Sequence, residues 1–260
     1  GASSSRGPSS VDGVMTKEPS GSPVAGVELL DKAEALRRGA LRRLYQDILE
    51  PSFRPEELGE PWEEGHVPDG LLLVAWDEAR QEALGCAIGE LYETSRVLLL
   101  GYLAVRPDLR ARGVGTRLMN GVLRQWCRDD WLALAEIDDP RHHEPHPGHG
   151  DPVARLRFYE RFGVRAIAAP YFQPSLDGGG RAYHLLLCQL PTRSGAGSIS
   201  AEEVERVRQF LEEYLTGCEG EGALDDREAR WLLNFYSGEL ALVPLNELDR
   251  VPDPEPPAVC

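Results

Sequence analysis

Hydrophobic positions divide this chain into strands and helices with little ambiguity through its middle. Val97 to Val105 is a continuous apolar run, the pattern of a strand buried on both faces. It turns at Arg106-Pro107-Asp108 into a basic segment, Arg110-Ala-Arg-Gly-Val-Gly-Thr116. Leu118, Val122 and Trp126 then recur at i, i+4 and i+8, with Met119 and Leu123 beside them, so one face of a helix is apolar. Leu71 to Trp76 and Ala83 to Tyr92 are two further strands ahead of the central one, joined by short turns that predict an antiparallel meander. After the helix, Trp131 to Ile137 reads as a buried strand that the crossover places parallel to the central one. Pro152 to Phe162 is a helix ending at Gly163. Val164 to Ala169 and Ala182 to Leu190 are the next strands, joined through Tyr171-Phe-Gln-Pro174 and a glycine turn at 178–180.

The two ends are plainer. Val27 to Leu30 is a short strand, Asp31 caps a helix that should run to about Leu49, and Pro51 to Leu58 is a turn into a second short helix. Residues 1–25, rich in Ser, Gly and Pro, read as a disordered tail. Residues 26–191 form the main domain. Residues 192–260 form a helical extension, entered by a linker, Arg193 to Ser198. There Ser200-Ala-Glu-Glu203 is a capping box and Asp226 opens a second helix. Trp231 and Phe235 stand i, i+4 and should be buried, and Pro252 to Cys260 should fray. The fold class is therefore α/β (α+β), a mixed and largely antiparallel sheet flanked by helices.

Composition narrows the function. A net charge of −15 argues against nucleic acid, whose phosphates would be repelled, and suits a cationic substrate loosely. Five cysteines, an odd number without a Cys-x-x-Cys pair, point to a reduced cytoplasmic protein rather than a disulfide frame. No apolar run approaches a membrane span, and no secretory signal is visible.

Against that acidity, the segment after the central strand reverses sign. Arg106, Arg110, Arg112 and Arg117 surround Gly113 and Gly115 at a helix start. Free N–H groups and the helix dipole make such a start an anion site, and a glycine lets a phosphate approach the backbone. A P-loop would need a lysine that this stretch lacks. A dinucleotide turn would need a third glycine where Leu118 stands.

What the residues match is Arg/Gln-x-x-Gly-x-Gly/Ala, as Arg110-Ala-Arg-Gly113-Val-Gly115, preceded by Ala104-Val105-Arg106-Pro107. A second match, Phe-Tyr-Glu-x-x-Gly, lies in Phe158-Tyr-Glu-Arg-Phe-Gly163. Together they closely resemble the GNAT superfamily of N-acyltransferases, over about Val27 to Leu190. The resemblance implies acetyl-CoA as cosubstrate, its pyrophosphate held by Arg110, Ala111, Arg112, Gly113, Val114, Gly115 and Thr116. It implies that the pantetheine arm pairs with the edge Leu103, Ala104, Val105. It implies that Tyr159 protonates the leaving thiolate, and that the early helices wall the acceptor site. Transfer to a primary amine would be direct, in a ternary complex. The asparagine many members carry upstream of the tyrosine has no counterpart; its place falls near Asp151-Pro152. The central-strand glutamate of some members is replaced near Leu99, which leaves Glu90 and Glu136 as candidate bases. A module that binds acyl-CoA without turnover is the alternative.

Residues 138–151, DDPRHHEPHPGHGD, fit none of this. A metal site would use His142, His143, His146 or His149 with Asp138 or Glu144. Pro145 and Pro147 oppose the helix that would align them, so a proline-stiffened lid without metal is preferred. His184 should be a packed strand histidine. The acceptor is a small-molecule or peptide amine, with no nucleic acid or membrane partner and a possible homodimer.

Overall fold

The computed structural model describes residues 24–58 and 69–258. Ten strands form one twisted sheet: β1 (Val27–Asp31), β2 (Leu71–Asp77), β3 (Glu82–Tyr92), β4 (Val97–Val105), β5 (Leu132–Asp138), β6 (Arg165–Ile167), β7 (Tyr171–Gln173), β8 (Ala182–Gln189), β9 (Ser198–Ile199) and β10 (Leu240–Pro244). Their order is β1-β2-β3-β4-β5-β8-β6-β10-β9, with β7 on β8. The meander β1 to β4 is antiparallel, and β4 to β5 is the parallel pair that the crossover requires. That crossover is α2 (Val114–Gln125), the second of the five helices of six or more residues among the described residues: α1 (Lys32–Arg37), α2, α3 (Pro152–Arg161), α4 (Ala201–Glu219) and α5 (Arg227–Leu233); Pro55–Leu58 is a shorter one.

Strand alternation sends apolar side chains to both faces, and both faces are covered. Leu98 and Leu100 meet Leu118, Met119 and Val122 of α2 and Leu156 and Tyr159 of α3. Val97 and Leu99 point the other way, where Val207, Phe210, Leu211 and Tyr214 of α4 and Leu232 of α5 complete a second core. Leu72, Val74 and Ile88 on that same side are covered by Leu44, Ile48, Leu49 and Phe53. The early segment and the C-terminal helices thus share one face, and the crossover helix and α3 hold the other.

Several expectations need correction. The helix from Asp31 stops at Arg37, because Gly39 and Arg43 both take positive φ; the chain re-enters as a π-type turn, Tyr45–Leu49, running into a helical turn, Glu50–Ser52. The Tyr171-Phe-Gln segment expected as a connection is strand β7. The C-terminal extension is not only helical. Its β10 pairs with β6 and carries β9, so it lengthens the sheet. Nor does the chain loosen at Pro252: Arg141 donates to the carbonyls of Leu248 and Val251 at 3.0 and 3.1 Å, and Asp253 meets His142. The tail at 1–23 lies outside the described residues. Among the described residues, no helix is long and apolar enough to cross a membrane.

Candidate active site

The feature that creates a site is a failure of pairing. Strands β4 and β5 run in register from Val97–Leu132 to Leu100–Ala135 and then part. At that point β4 also slips against β3: Gly89 faces Leu100 while Ile88 faces Tyr102, which leaves Gly101 as the extra residue of a bulge. A bulge bends its strand and raises local twist. Beyond it, Tyr102 to Val105 still pair with β3, and Glu136 to Asp138 pair with β8. The two inner edges are left facing a wedge.

A small cavity fills this wedge. It is lined by Gly101, Tyr102 and Leu103 from β4, Glu136 and Asp138 from β5, and Tyr159 from α3, together with Phe53, Glu57, Gln173 and others. Tyr159 belongs to the core on the α2 face, whereas Glu136 meets Tyr171 and Tyr214 on the opposite face. The opening therefore passes through the sheet, and groups arriving from its two sides meet inside it.

On the α2 side the structure builds an anion-receiving surface. Gly113 is the N-cap residue of α2 with φ +84°, a conformation that costs other residues energy, and the helix start has no side-chain cap and no acid in its first turn. Its N–H groups are left for another acceptor. Gly115 has an ordinary helical backbone; a Cβ there would sit 3.5 Å from the Phe158 ring and 3.6 Å from Val105. Ala111, at φ 60°, reverses the loop ahead of it. The arginines expected here divide in role. Arg106 is tied to Asp108 at 2.7 Å and Glu82 at 3.2 Å, so it closes the turn. Arg110 donates to Ser52 Oγ at 3.1 Å, and Gly150 lies between it and Arg155. Burial and the neighbouring Arg155 lower the Arg110 pKa, a strain that an incoming anion would relieve. Leu103, Ala104 and Val105 form the adjoining edge that β5 leaves unpaired.

Tyr159 is buried, and among the described residues no group hydrogen-bonds its hydroxyl. Burial pushes its pKa up to about 12, with Arg155 opposing, so it stays a proton donor. Tyr159 and Leu103 line the same cavity.

The other side of the wedge is acidic. Glu136 accepts from Tyr171 Oη at 2.5 Å and from Tyr214 Oη at 3.5 Å. Burial nevertheless outweighs these donors and raises its pKa to about 8. Glu90, the other carboxylate singled out in the sequence, is exposed, accepts from Tyr92 Oη at 2.8 Å and is absent from the cavity lining. Glu57 stands in the lining instead. Burial, and then the Asp138 charge, push its pKa to about 7 against the pull of Arg54. Tyr102 Oη donates to the Glu57 carbonyl, fixing that turn against β4.

Asp138 is neutralised in place. Arg54 grips it with two bonds of 3.0 and 3.2 Å, and Arg155 reaches it at 3.5 Å. This pairing also seats the histidine-rich loop. His143 accepts from Arg54 at 3.3 Å when its Nδ1 is unprotonated, and Arg155 donates to the His149 carbonyl at 2.7 Å. His146 and His149 stack on each other, their loop closed by paired bonds between His146 and Gly150. Burial lowers the His149 pKa. His142 stacks on His184 at 3.8 Å, and these two with Asp253 have ligand-type atoms within 4.8 Å of one another. The rings are within 12° of parallel. Lone pairs in two parallel planes do not converge on one ion, so this donor set does not fit a metal as it stands. His184 itself has φ 59°, which turns its carbonyl to accept from both Asp139 N and His143 at 3.0 Å.

Sequence reasoning missed Glu57, Gln173 and Tyr214. Each lies in a segment without a motif, and Tyr214 belongs to a helix that seemed an appendage. The only available signal was a polar residue interrupting an apolar strand or helix face.

Comparison with known proteins places this geometry. The family model described as "Acetyltransferase (GNAT) domain" matches residues 68–165, a stretch that contains the split, the glycine loop and α3. No curated protein matches the chain by sequence. Among solved structures, a protein assigned to the GNAT acetyltransferases from Bacteroides thetaiotaomicron superposes with a TM-score of 0.51 at 18% identity, over 74% of this chain and 98% of that one. The ribosomal-protein-S18-alanine N-acetyltransferase of Escherichia coli gives 0.41 at 17% identity, over 64% and 93%. The first likeness shows the shared mixed α/β fold, and the GNAT acetyltransferase domain model matches the stretch that holds the split and both motifs.

Proposed function

We propose that the protein transfers an acetyl group from acetyl-CoA to a primary amine, within a ternary complex. The observation that carries this reading is the wedge through the sheet. It brings Tyr159 and a carboxylate-lined pocket to the β4 edge that β5 leaves unpaired, and that strand runs on to the uncapped start of α2. The cosubstrate would supply the activated acyl carbon. Val114, Gly115 and Thr116 N–H groups, Arg110 and Arg112 would hold its pyrophosphate, and the edge Leu103 to Val105 would pair with its arm.

The remaining chemistry belongs to side chains. Glu57 takes the proton of the incoming ammonium, because a base near pH 7 is ionised often enough and still basic enough to do so. The freed amine attacks the thioester carbon, a C–N bond forms, and the C–S bond breaks with its electron pair leaving on sulfur. Tyr159 donates its phenolic proton to that sulfur, and the resulting phenolate takes the second proton that the acylated nitrogen loses as the amide forms, while Glu57 returns the first to solvent. Backbone N–H groups of the unpaired β4 edge stabilise the oxygen that becomes anionic. Among the described residues no cysteine lines the cavity, which fits direct transfer rather than an acyl-enzyme. The carboxylate and apolar lining suits a small-molecule or peptide amine, in a cytoplasmic location that would supply the cosubstrate.

The first test is the melting temperature with acetyl-CoA, free CoA and ATP. A ligand at about 100 times its Kd adds about 2.7 kcal/mol. A rise with both CoA species and none with ATP is expected. In release assays on a panel of amines, Tyr159→Phe should bind acetyl-CoA as wild type does and lose at least tenfold in kcat. No rise with either CoA species would overturn the cosubstrate site, and a wild type that shifts without releasing CoA would leave a binding module.

A further inference from the structure

One polar atom beside the wedge is left unmatched by the fold. Gln173, on β7, is buried and lines the cavity, yet its Oε1 has no hydrogen-bond partner among the described residues. Its orientation is not arbitrary. Gln173 Nε2 donates to Tyr214 Oη at 3.4 Å, and Tyr214 donates onward to Glu136 Oε1 at 3.5 Å. Each proton in that relay has one acceptor. Turning the amide over would make Tyr214 choose between two acceptors and strand two buried donors. Buried polar groups are nearly always satisfied, and an exception calls for a ligand, a water or a function.

The other polar groups of the cavity say what kind of ligand. Glu57, Glu136, Asp138 and Gln173 offer oxygens. Its donors are mostly committed within the protein: Tyr102 to the Glu57 carbonyl, and Arg155 to Asp138 and the His149 carbonyl. Besides these, the Tyr159 hydroxyl has no hydrogen-bond partner among the described residues, and the β4 edge offers backbone N–H groups. The pocket is rich in acceptors and poor in donors, the complement of an ammonium group with three N–H bonds. Its remaining walls are Phe53, Tyr102, Leu103 and Leu185, with the Phe53 and Tyr102 rings packed edge to face at 5.1 Å. These suit an apolar arm. A carboxylate beside the amine would be carried against Glu57 and the acceptor oxygens of Gln173 and Glu136, with both neighbouring guanidinium groups already on Asp138.

Resting on the acetyl-transfer reading, we propose that Gln173 is a specificity-determining residue. Its amide oxygen, with Glu136, takes the N–H groups of the acceptor, and the pocket selects primary amines on uncharged apolar arms over α-amino acids.

The test pairs 2-phenylethylamine with L-phenylalanine, two acceptors that differ only in the carboxylate, and reads CoA release from acetyl-CoA. Wild type should favour the amine at least 100-fold in kcat/KM. Gln173→Leu removes the unmatched oxygen at similar volume, so it should fold; it should raise KM for phenylethylamine at least tenfold while the melting shift with acetyl-CoA stays as in wild type. Comparable kcat/KM for the two acceptors, which needs no variant to observe, would overturn the proposal, as would an unchanged KM in Gln173→Leu. Turnover of other amines with neither of these two would overturn it while leaving acetyl transfer intact. Absence of release with every amine would remove both readings.

Discussion

At the scale of single residues, the two raised carboxyls make opposite kinds of prediction. Glu57 should act in its ionised form, so kcat/KM for an amine should rise with pH through about 7 in wild type. Glu57→Gln should lose that rising limb and fall roughly 10²-fold or more at pH 8. An unchanged limb would assign the proton to another group. Glu136 predicts a stability effect. Its folded pKa, about 8, stands above the ordinary 4.5, so the protonated form is the one the fold favours. The resulting stabilisation is complete below about 4.5 and is lost as pH rises through about 8. Glu136→Gln stays neutral throughout. Its melting temperature relative to wild type should therefore climb between pH 5 and pH 8 and level off above, by a free energy on the order of 3 kcal/mol. A flat difference across that range would mean that Tyr171 and Tyr214 hold Glu136 ionised in the folded protein.

At the scale of elements, the glycine loop and α2 show two different uses of glycine, and substitution should separate them. Gly113 has open space around its missing Cβ but φ +84°. Gly113→Ala should cost about 1 kcal/mol through backbone strain and also weaken the melting shift with acetyl-CoA, since the helix start must move. Gly115 has helical φ and only ordinary contacts at 3.5 Å to Phe158, so Gly115→Ala should melt close to wild type yet shift less with acetyl-CoA. Equal shifts in wild type and Gly115→Ala would separate the loop from cofactor binding. This strand–loop–helix unit was readable in advance because apolar period, glycine position and local charge all change within a few residues. The meander, the parallel β5 and α3 were readable for the same reason. Other elements were hidden by tertiary context. The stripe of Leu36, Leu41, Leu44 and Ile48 suggested one helix, but Leu36 is exposed and the positive φ of Gly39 and Arg43 breaks the run. Strand β10 is five residues whose partner, β6, lies far back in sequence, and pairing of that kind leaves no local mark. The bulge at Gly101, which opens the site, depends on register between two strands and not on either alone.

For the whole molecule, the issue is whether residues 192–260 are an addition to the fold that precedes them or part of it. Their contacts favour the second. Helix α4 supplies Val207, Phe210, Leu211 and Tyr214 to a core that also contains Leu99, Leu134 and Leu187 of the central strands. Arg206 donates to the carbonyls of Ser95, Arg96 and Asp130 at 2.7 to 3.2 Å, binding the helix to the turns that lead into β4 and β5. Arg181, leading into β8, is held by Glu219, Asp226 and Glu228 at 2.7 to 2.9 Å, and breaking such a partly buried cluster typically costs about 3–5 kcal/mol. Tyr214 then reaches the carboxylate in the wedge. A chain ending at Leu190 would expose Leu132, Leu134, Ile167 and Leu187 together, an apolar face too large for a stable monomer. We expect that truncation to aggregate or to give no cooperative melting transition, whereas full-length Arg181→Met should remain folded and melt several degrees lower. If the truncated chain instead ran as a monomer and gained the full melting shift with acetyl-CoA, the extension would be an independent unit. Tyr214 would then be dispensable to the floor of the site, and the relay from Gln173 to Glu136 would lose its structural basis.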